Sequence, residues 1–89
     1  MNKLILFTSP TCIPCKMAKP IVYKEFQKYS ADFTLSLVDA IENPDKADKY
    51  QVMSVPTLIA EVNDVEVDRL QNITEKSLTT FMEGVYARL

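Results

Sequence analysis

Histidine and tryptophan are absent from this chain of 89 residues, and glycine occurs only once. Without histidine there is no imidazole to serve as a general base near neutral pH. A structural zinc site takes four ligands, and two cysteines with no histidine fall short of that. A metal would need carboxylates or a second chain, so none is expected. Neither sign of charge dominates: ten basic residues face twelve acidic ones, for a net −2. No basic stripe tracks a phosphate backbone, so a nucleic-acid partner is not expected. Long apolar runs are missing too. The early one, Leu4 to Phe7, is far too short for a signal-peptide core or a membrane span, and neither a leader nor a membrane partner is expected.

What is present is enough for one domain, 1–89. Nearly half of the residues, 47%, are hydrophobic, which suffices for a single core in a chain of this length. No repeats, linkers or low-complexity segments interrupt it. The chemistry is concentrated in Thr11-Cys12-Ile13-Pro14-Cys15-Lys16, which holds both cysteines. Two thiols so spaced can close a small ring as a disulfide and reopen as a dithiol. In a cytoplasmic protein, the expected setting here, a lone pair is more often catalytic than structural. A static disulfide across so short a loop would restrict the unfolded chain little.

Thiol–disulfide chemistry needs a thiolate. Ser9, Pro10 and Thr11 read as a turn, and Pro14 fits the first turn of a helix, where a missing N–H costs nothing. Cys12 then falls at the helix N-terminus, where free N–H groups and the macrodipole favour negative charge. Lys16, four residues on, adds a cation near the same face. Cys15 lies inside the first turn and is expected to be less exposed. Cys12 is therefore the candidate attacking thiolate and Cys15 the resolving thiol.

The rest of the chain reads as supporting structure. Lys3 to Phe7 is a strand buried on both faces. A helix follows whose stripe is Ile13, Met17, Ile21, Val22, Phe26 and Tyr29, with Pro20 expected to kink it. Asp32 to Val38 is a second strand, and the helix between makes the pair parallel. Asn43 is expected to cap a short helix that starts at Pro44 and turns Ala47 and Tyr50 inward. Pro56 to Glu61 and Val65 to Leu70 flank Val62-Asn63-Asp64 and form a hairpin, with Val65, Val67 and Arg69 on one face of the second strand. Thr74 caps a last helix with a stripe of Leu78, Phe81, Met82, Val85 and Leu89. The fold class is α/β, in the order β-α-β-α-β-β-α: a four-stranded mixed sheet with three helices. A site at the end of the first strand is usual in such sheets.

With these elements in place the chain resembles the thioredoxin family over nearly its whole length. The resemblance rests on Cys12-Ile13-Pro14-Cys15-Lys16-Met17, the helix proline Pro20, Val38-Asp39 to Pro44, Lys49-Tyr50, and Ser54-Val55-Pro56-Thr57-Leu58. The chain starts directly at the strand feeding the motif, like the minimal fold of glutaredoxins and small phage or archaeal thioredoxins. Three positions depart from the family pattern. Thr11 replaces a tryptophan before the first cysteine, Leu6 a buried aspartate, and Asn72 a glycine whose left-handed turn asparagine also tolerates. A glutaredoxin's Gly-Gly turn for glutathione is absent as well.

The resemblance implies a thiol–disulfide oxidoreductase in cell redox homeostasis and electron transport. It implies a redox-active Cys12–Cys15 disulfide and no bound cofactor. Disulfide-containing proteins would be its substrates, bound in a groove of Thr11, Ile13, Pro14, Val55, Pro56 and Asn72, with Val55–Pro56 cis. Thioredoxin reductase, or else glutathione as for a glutaredoxin, would restore the dithiol. A cytoplasmic monomer is expected. The reading from a different class is a non-catalytic thioredoxin-fold interaction module, against which the intact cysteine pair argues.

Overall fold

The computed structural model describes residues 1–89. Strand β1 (Lys3–Thr8) runs to helix α1 (Ile13–Phe26), which ends in a 3-10 turn, Gln27–Tyr29. There follow β2 (Thr34–Asp39), α2 (Pro44–Lys49), β3 (Thr57–Val62), β4 (Val65–Leu70) and α3 (Glu75–Tyr86). The sheet order is β2-β1-β3-β4, parallel between β1 and β2 and antiparallel elsewhere. The expected order of elements and the mixed sheet are both present. Asn63 and Asp64, with φ of 54° and 66°, close the β3–β4 hairpin by the two-residue turn that demands left-handed residues.

Alternation along the central strands builds two cores. Leu4 and Leu6 of β1, with Leu58, Ala60 and Val62 of β3, face Val22 of α1 and Leu78, Phe81, Met82 and Val85 of α3. Ile5, Phe7 and Ile59 face the other way, and Ala47, Tyr50, Val52 and Val55 pack over them. Helices thus cover both faces, and β1 and β3 read as continuous apolar runs for that reason. Each fully buried leucine or phenylalanine contributes about 1.5–3 kcal/mol over its exposed state. Thr74 caps α3 as expected: its hydroxyl accepts from Ser77 N–H, and the Ser77 side chain returns to the Thr74 backbone.

Four details differ from the sequence expectation. The buried face of α1 is Cys15, Ala18, Val22 and Glu25, while Ile13 and Met17 are exposed. At about 100° per residue, positions two before and two after Cys15 lie across the helix from it, and Cys15 is buried. Asn43 does not cap α2 with its side chain; its Nδ2 donates to the Asp39 carbonyl, and Asp39 Oδ1 accepts from Ile41 and Glu42 N–H. Leu89 lies beyond α3 and is exposed. Finally, a β-bulge in β4 skips Val67: Asp68 pairs Ala60, and Glu66 pairs Glu61. Val67 then packs with Leu70 on the larger core instead of sharing a face with Arg69.

Candidate active site

The C-terminal end of β1 feeds the site. Thr8 ends the strand, Ser9–Thr11 turn the chain, and Cys12 N–H donates to the Ser9 carbonyl at 3.3 Å. Cys12 is the N-cap of α1 with extended backbone, φ −87° and ψ 107°. A cap residue normally offers an oxygen to the orphan N–H groups of the first turn. Here sulfur does so: Cys15 N–H donates to Cys12 Sγ at 3.1 Å. No acidic residue occupies the first turn of α1, so nothing competes with a sulfur anion at this positive helix end. Pro14 stands in the first turn and removes one unsatisfied N–H.

The two sulfurs are joined as a disulfide, with Cα atoms 5.2 Å apart, inside the usual range. Their environments differ sharply. Cys15 is 1% exposed, whereas Cys12 is half-buried and reachable from solvent. An incoming sulfur can therefore meet Cys12 and not Cys15. The Val55 carbonyl oxygen lies 3.7 Å from Cys12 Sγ, 43 positions away in the chain, and the Val55–Pro56 peptide is cis. Ser54 is held on both sides. Its carbonyl accepts from the Thr57 hydroxyl at 2.7 Å, and its hydroxyl oxygen accepts from the Gln71 amide at 3.5 Å.

Of the other sequence-predicted residues, Thr11, Ile13 and Pro14 are exposed beside Cys12, and Pro56 is half-buried after Val55. Asn72 follows Gln71 and is exposed; its carbonyl accepts from the Ser77 hydroxyl at 2.7 Å. It is not in the left-handed region: Gln51, Asn63 and Asp64 are the residues with positive φ. Lys16 is exposed on α1 and makes no ion pair. Leu6 is wholly buried, so this position presents no carboxylate to the cysteines.

The sequence reading missed an apolar hollow beside Val55 and a polar cluster behind it. Ile41 and Met53, 70% and 91% exposed, border an apolar hollow of about 200 Å³ lined also by Ser9, Ala40, Val52, Ser54 and Val55. The hollow adjoins the site through Ser9 and Val55. The cluster is built around Tyr50 and Arg69. The Tyr50 hydroxyl donates to the buried Glu61 carboxylate at 2.9 Å; burial and then this bond hold the phenol above its ordinary pKa. Arg69 binds Glu66 through two nitrogens, at 2.7 and 2.8 Å, and that pairing raises its pKa further. The only advance signal was Gln51 standing where a helix C-terminus prefers glycine. No three metal-binding side chains come together, and no helix is long and apolar enough to cross a membrane.

This geometry can be set beside known proteins. The sequence profile of the thioredoxin family matches residues 1–84. A thioredoxin of Staphylococcus epidermidis is 36% identical over 74 residues, which are 83% of this chain and 71% of that one. One from Staphylococcus aureus is 35% identical over the same lengths. Among solved structures, a mutant thioredoxin from Halobacterium salinarum superposes with a TM-score of 0.83 at 27% identity, covering 94% of this chain and 74% of that one. The oxidised mitochondrial thioredoxin 3 of Saccharomyces cerevisiae gives 0.84 at 25%, covering 93% and 77%. With a disulfide-forming pair spaced as Cys-x-x-Cys, the chain belongs to the thioredoxin family and is a thiol–disulfide oxidoreductase of thioredoxin type.

Proposed function

We propose that this protein works as a single domain, a cytoplasmic monomer, that reduces disulfides in other proteins and is recharged by a flavin-dependent thioredoxin reductase. The observation that carries the reading is the unequal pair: Cys12 is reachable and accepts the Cys15 N–H, while Cys15 is buried behind it. In the reduced protein, Cys12 thiolate attacks one sulfur of a substrate disulfide and expels the other as a thiolate, giving a mixed disulfide. Cys15 sulfur then attacks Cys12 sulfur and breaks that bond. Its proton passes to a departing substrate sulfur, so one substrate sulfur leaves as thiol and one as thiolate. Two electrons have moved from the protein to the substrate.

Thr11, Ile13, Pro14, Val55, Pro56 and Asn72 form the docking rim in this reading, and Ile41 and Met53 extend it. Val55 offers backbone to an extended substrate segment, the pairing mode that gives affinity without a fixed sequence. Lys16 contributes positive potential near Cys12 rather than a contact. The named relatives are thioredoxins, which favours thioredoxin reductase over glutathione as the electron source. A coupled NADPH assay decides this, run once with thioredoxin reductase and once with glutathione plus glutathione reductase. Turnover in the first is expected. Turnover only in the second would make the protein a glutaredoxin in function. No turnover in either, together with no more reduction of a disulfide substrate than dithiothreitol gives by itself, would make it a binding module.

A further inference from the structure

The segment carrying Val55 leaves α2 through a left-handed residue, and we propose that Arg69 is a positioning residue that clamps this turn and so fixes the backbone on which protein substrates dock. The inference rests on the disulfide-reductase reading of the site. Tyr50 ends α2, Gln51 has φ 54°, and Gln51 and Val52 N–H donate back to the carbonyls of Asp48 and Ala47 at 3.0 and 2.8 Å. That is a helix stop normally built with glycine, because a Cβ is disfavoured there. Glutamine holds the conformation only if something else favours it.

Arg69 does so. Its Nη2 donates to the Tyr50 carbonyl at 2.9 Å and its Nη1 reaches the Gln51 carbonyl at 3.5 Å, the two carbonyls flanking the strained residue. Nε and Nη2 are fixed by Glu66. Residues three apart on a regular strand point to opposite faces, and the bulge that skips Val67 brings Glu66 and Arg69 to the same one. There Glu61 and Glu66 sit opposite each other; Tyr50 hydroxyl serves the first and Arg69 the second. Tyr50 is thereby held at both its carbonyl and its hydroxyl. Only three residues, Val52, Met53 and Ser54, separate Gln51 from Val55, and of these Met53 and Ser54 are exposed, so the direction in which the chain leaves Gln51 bears on where Val55 arrives. A planar fork can span a carboxylate and two carbonyls together, which an ammonium cannot.

Full-length variants Arg69→Leu, Arg69→Lys and Arg69→Leu with Gln51→Gly test this, assayed with insulin disulfides and with the small disulfide 5,5′-dithiobis(2-nitrobenzoate). In Arg69→Leu the KM for insulin is expected to rise about tenfold, the factor that corresponds to one charge-assisted hydrogen bond. The kcat for insulin and the rate with the small disulfide should stay within about twofold, since the cysteines are untouched. Arg69→Lys should not rescue, and Gln51→Gly should recover most of the loss by removing the strain. If Arg69→Leu does not fold, the KM of Arg69→Lys serves in its place. An unchanged KM for insulin in folded variants, an equal loss on both substrates, or no recovery with Gln51→Gly would overturn the clamp. A wild-type protein that reduces neither disulfide would overturn the reductase reading itself.

Discussion

Tyr50→Phe removes one oxygen and leaves the rest of the polar cluster in place. The Phe7 ring, 5.8 Å away by centroid, keeps its partner, and so does the Lys49 ammonium 5.8 Å above the ring. What is lost is the hydrogen bond at 2.9 Å to Glu61, a carboxylate in a residue only 6% exposed. A hydrogen bond to a charged group has a net worth of about 1.5–3 kcal/mol, and an acceptor left buried keeps its desolvation cost. Tyr50 itself is half-buried, so water can partly replace it and the lower end, about 1.5 kcal/mol, is expected. For a domain of this size that lowers the melting temperature by roughly 6–12 °C. The pH dependence gives a second readout. The Tyr50 phenol is raised by burial and by Glu61, so above about pH 10 the unfolded chain loses this proton before the folded one does. Stability is therefore lost as pH rises through that range, and Tyr50→Phe should flatten the loss. Tyr29, raised chiefly by burial, leaves a remainder. Thermal unfolding of the oxidised protein at pH 8 measures the first effect, and guanidinium unfolding at pH 8 and pH 10.5 the second. A melting temperature within about 1 °C of wild type, or an unaltered alkaline slope, would refute the view that this bond is closed and buried.

Cys15→Ser should accumulate a stable mixed disulfide on Cys12, seen as added mass, while Cys12→Ser should show no disulfide reduction; mild alkylation that modifies Cys15 first would reverse the roles. Thr74→Ala deletes the α3 cap and should cost about 1 kcal/mol by chemical denaturation, with Thr74→Ser close to wild type. Gly84 is exposed within α3 and a Cβ there would meet nothing within 4 Å, so Gly84→Ala should stabilise by up to about 1 kcal/mol. A destabilised Gly84→Ala would mean that the helix is not formed there in solution.

The cysteine spacing, the order of elements and the hairpin turn could be read directly because each depends on neighbours in sequence. A helix N-terminus, a run of alternating or continuous apolar residues and an Asn-Asp pair carry their own conformational preferences. The resemblance placed Val55 and Pro56, which no local rule tied to the cysteines. Tertiary packing decided the rest. The rotation of α1 is set by which side chains the sheet can bury; a glutamate at position 25 is buried, paired with Lys28 at 3.1 Å, while Met17 stays in water. The amphipathic pattern there was ambiguous because apolar residues flank both sides of the helix, and those next to the cysteines, Ile13 and Met17, stay exposed instead of joining the core. The bulge at Val67 was invisible because nothing in a strand's own sequence says where its partner gains a residue. Without that shift Glu66 and Arg69 lie on opposite faces, and the cluster behind Val55 cannot be drawn. Local preference thus fixed what each stretch becomes and where the sulfur chemistry starts, while long-range packing alone brought Val55, 43 positions from Cys12, to within 3.7 Å of its sulfur.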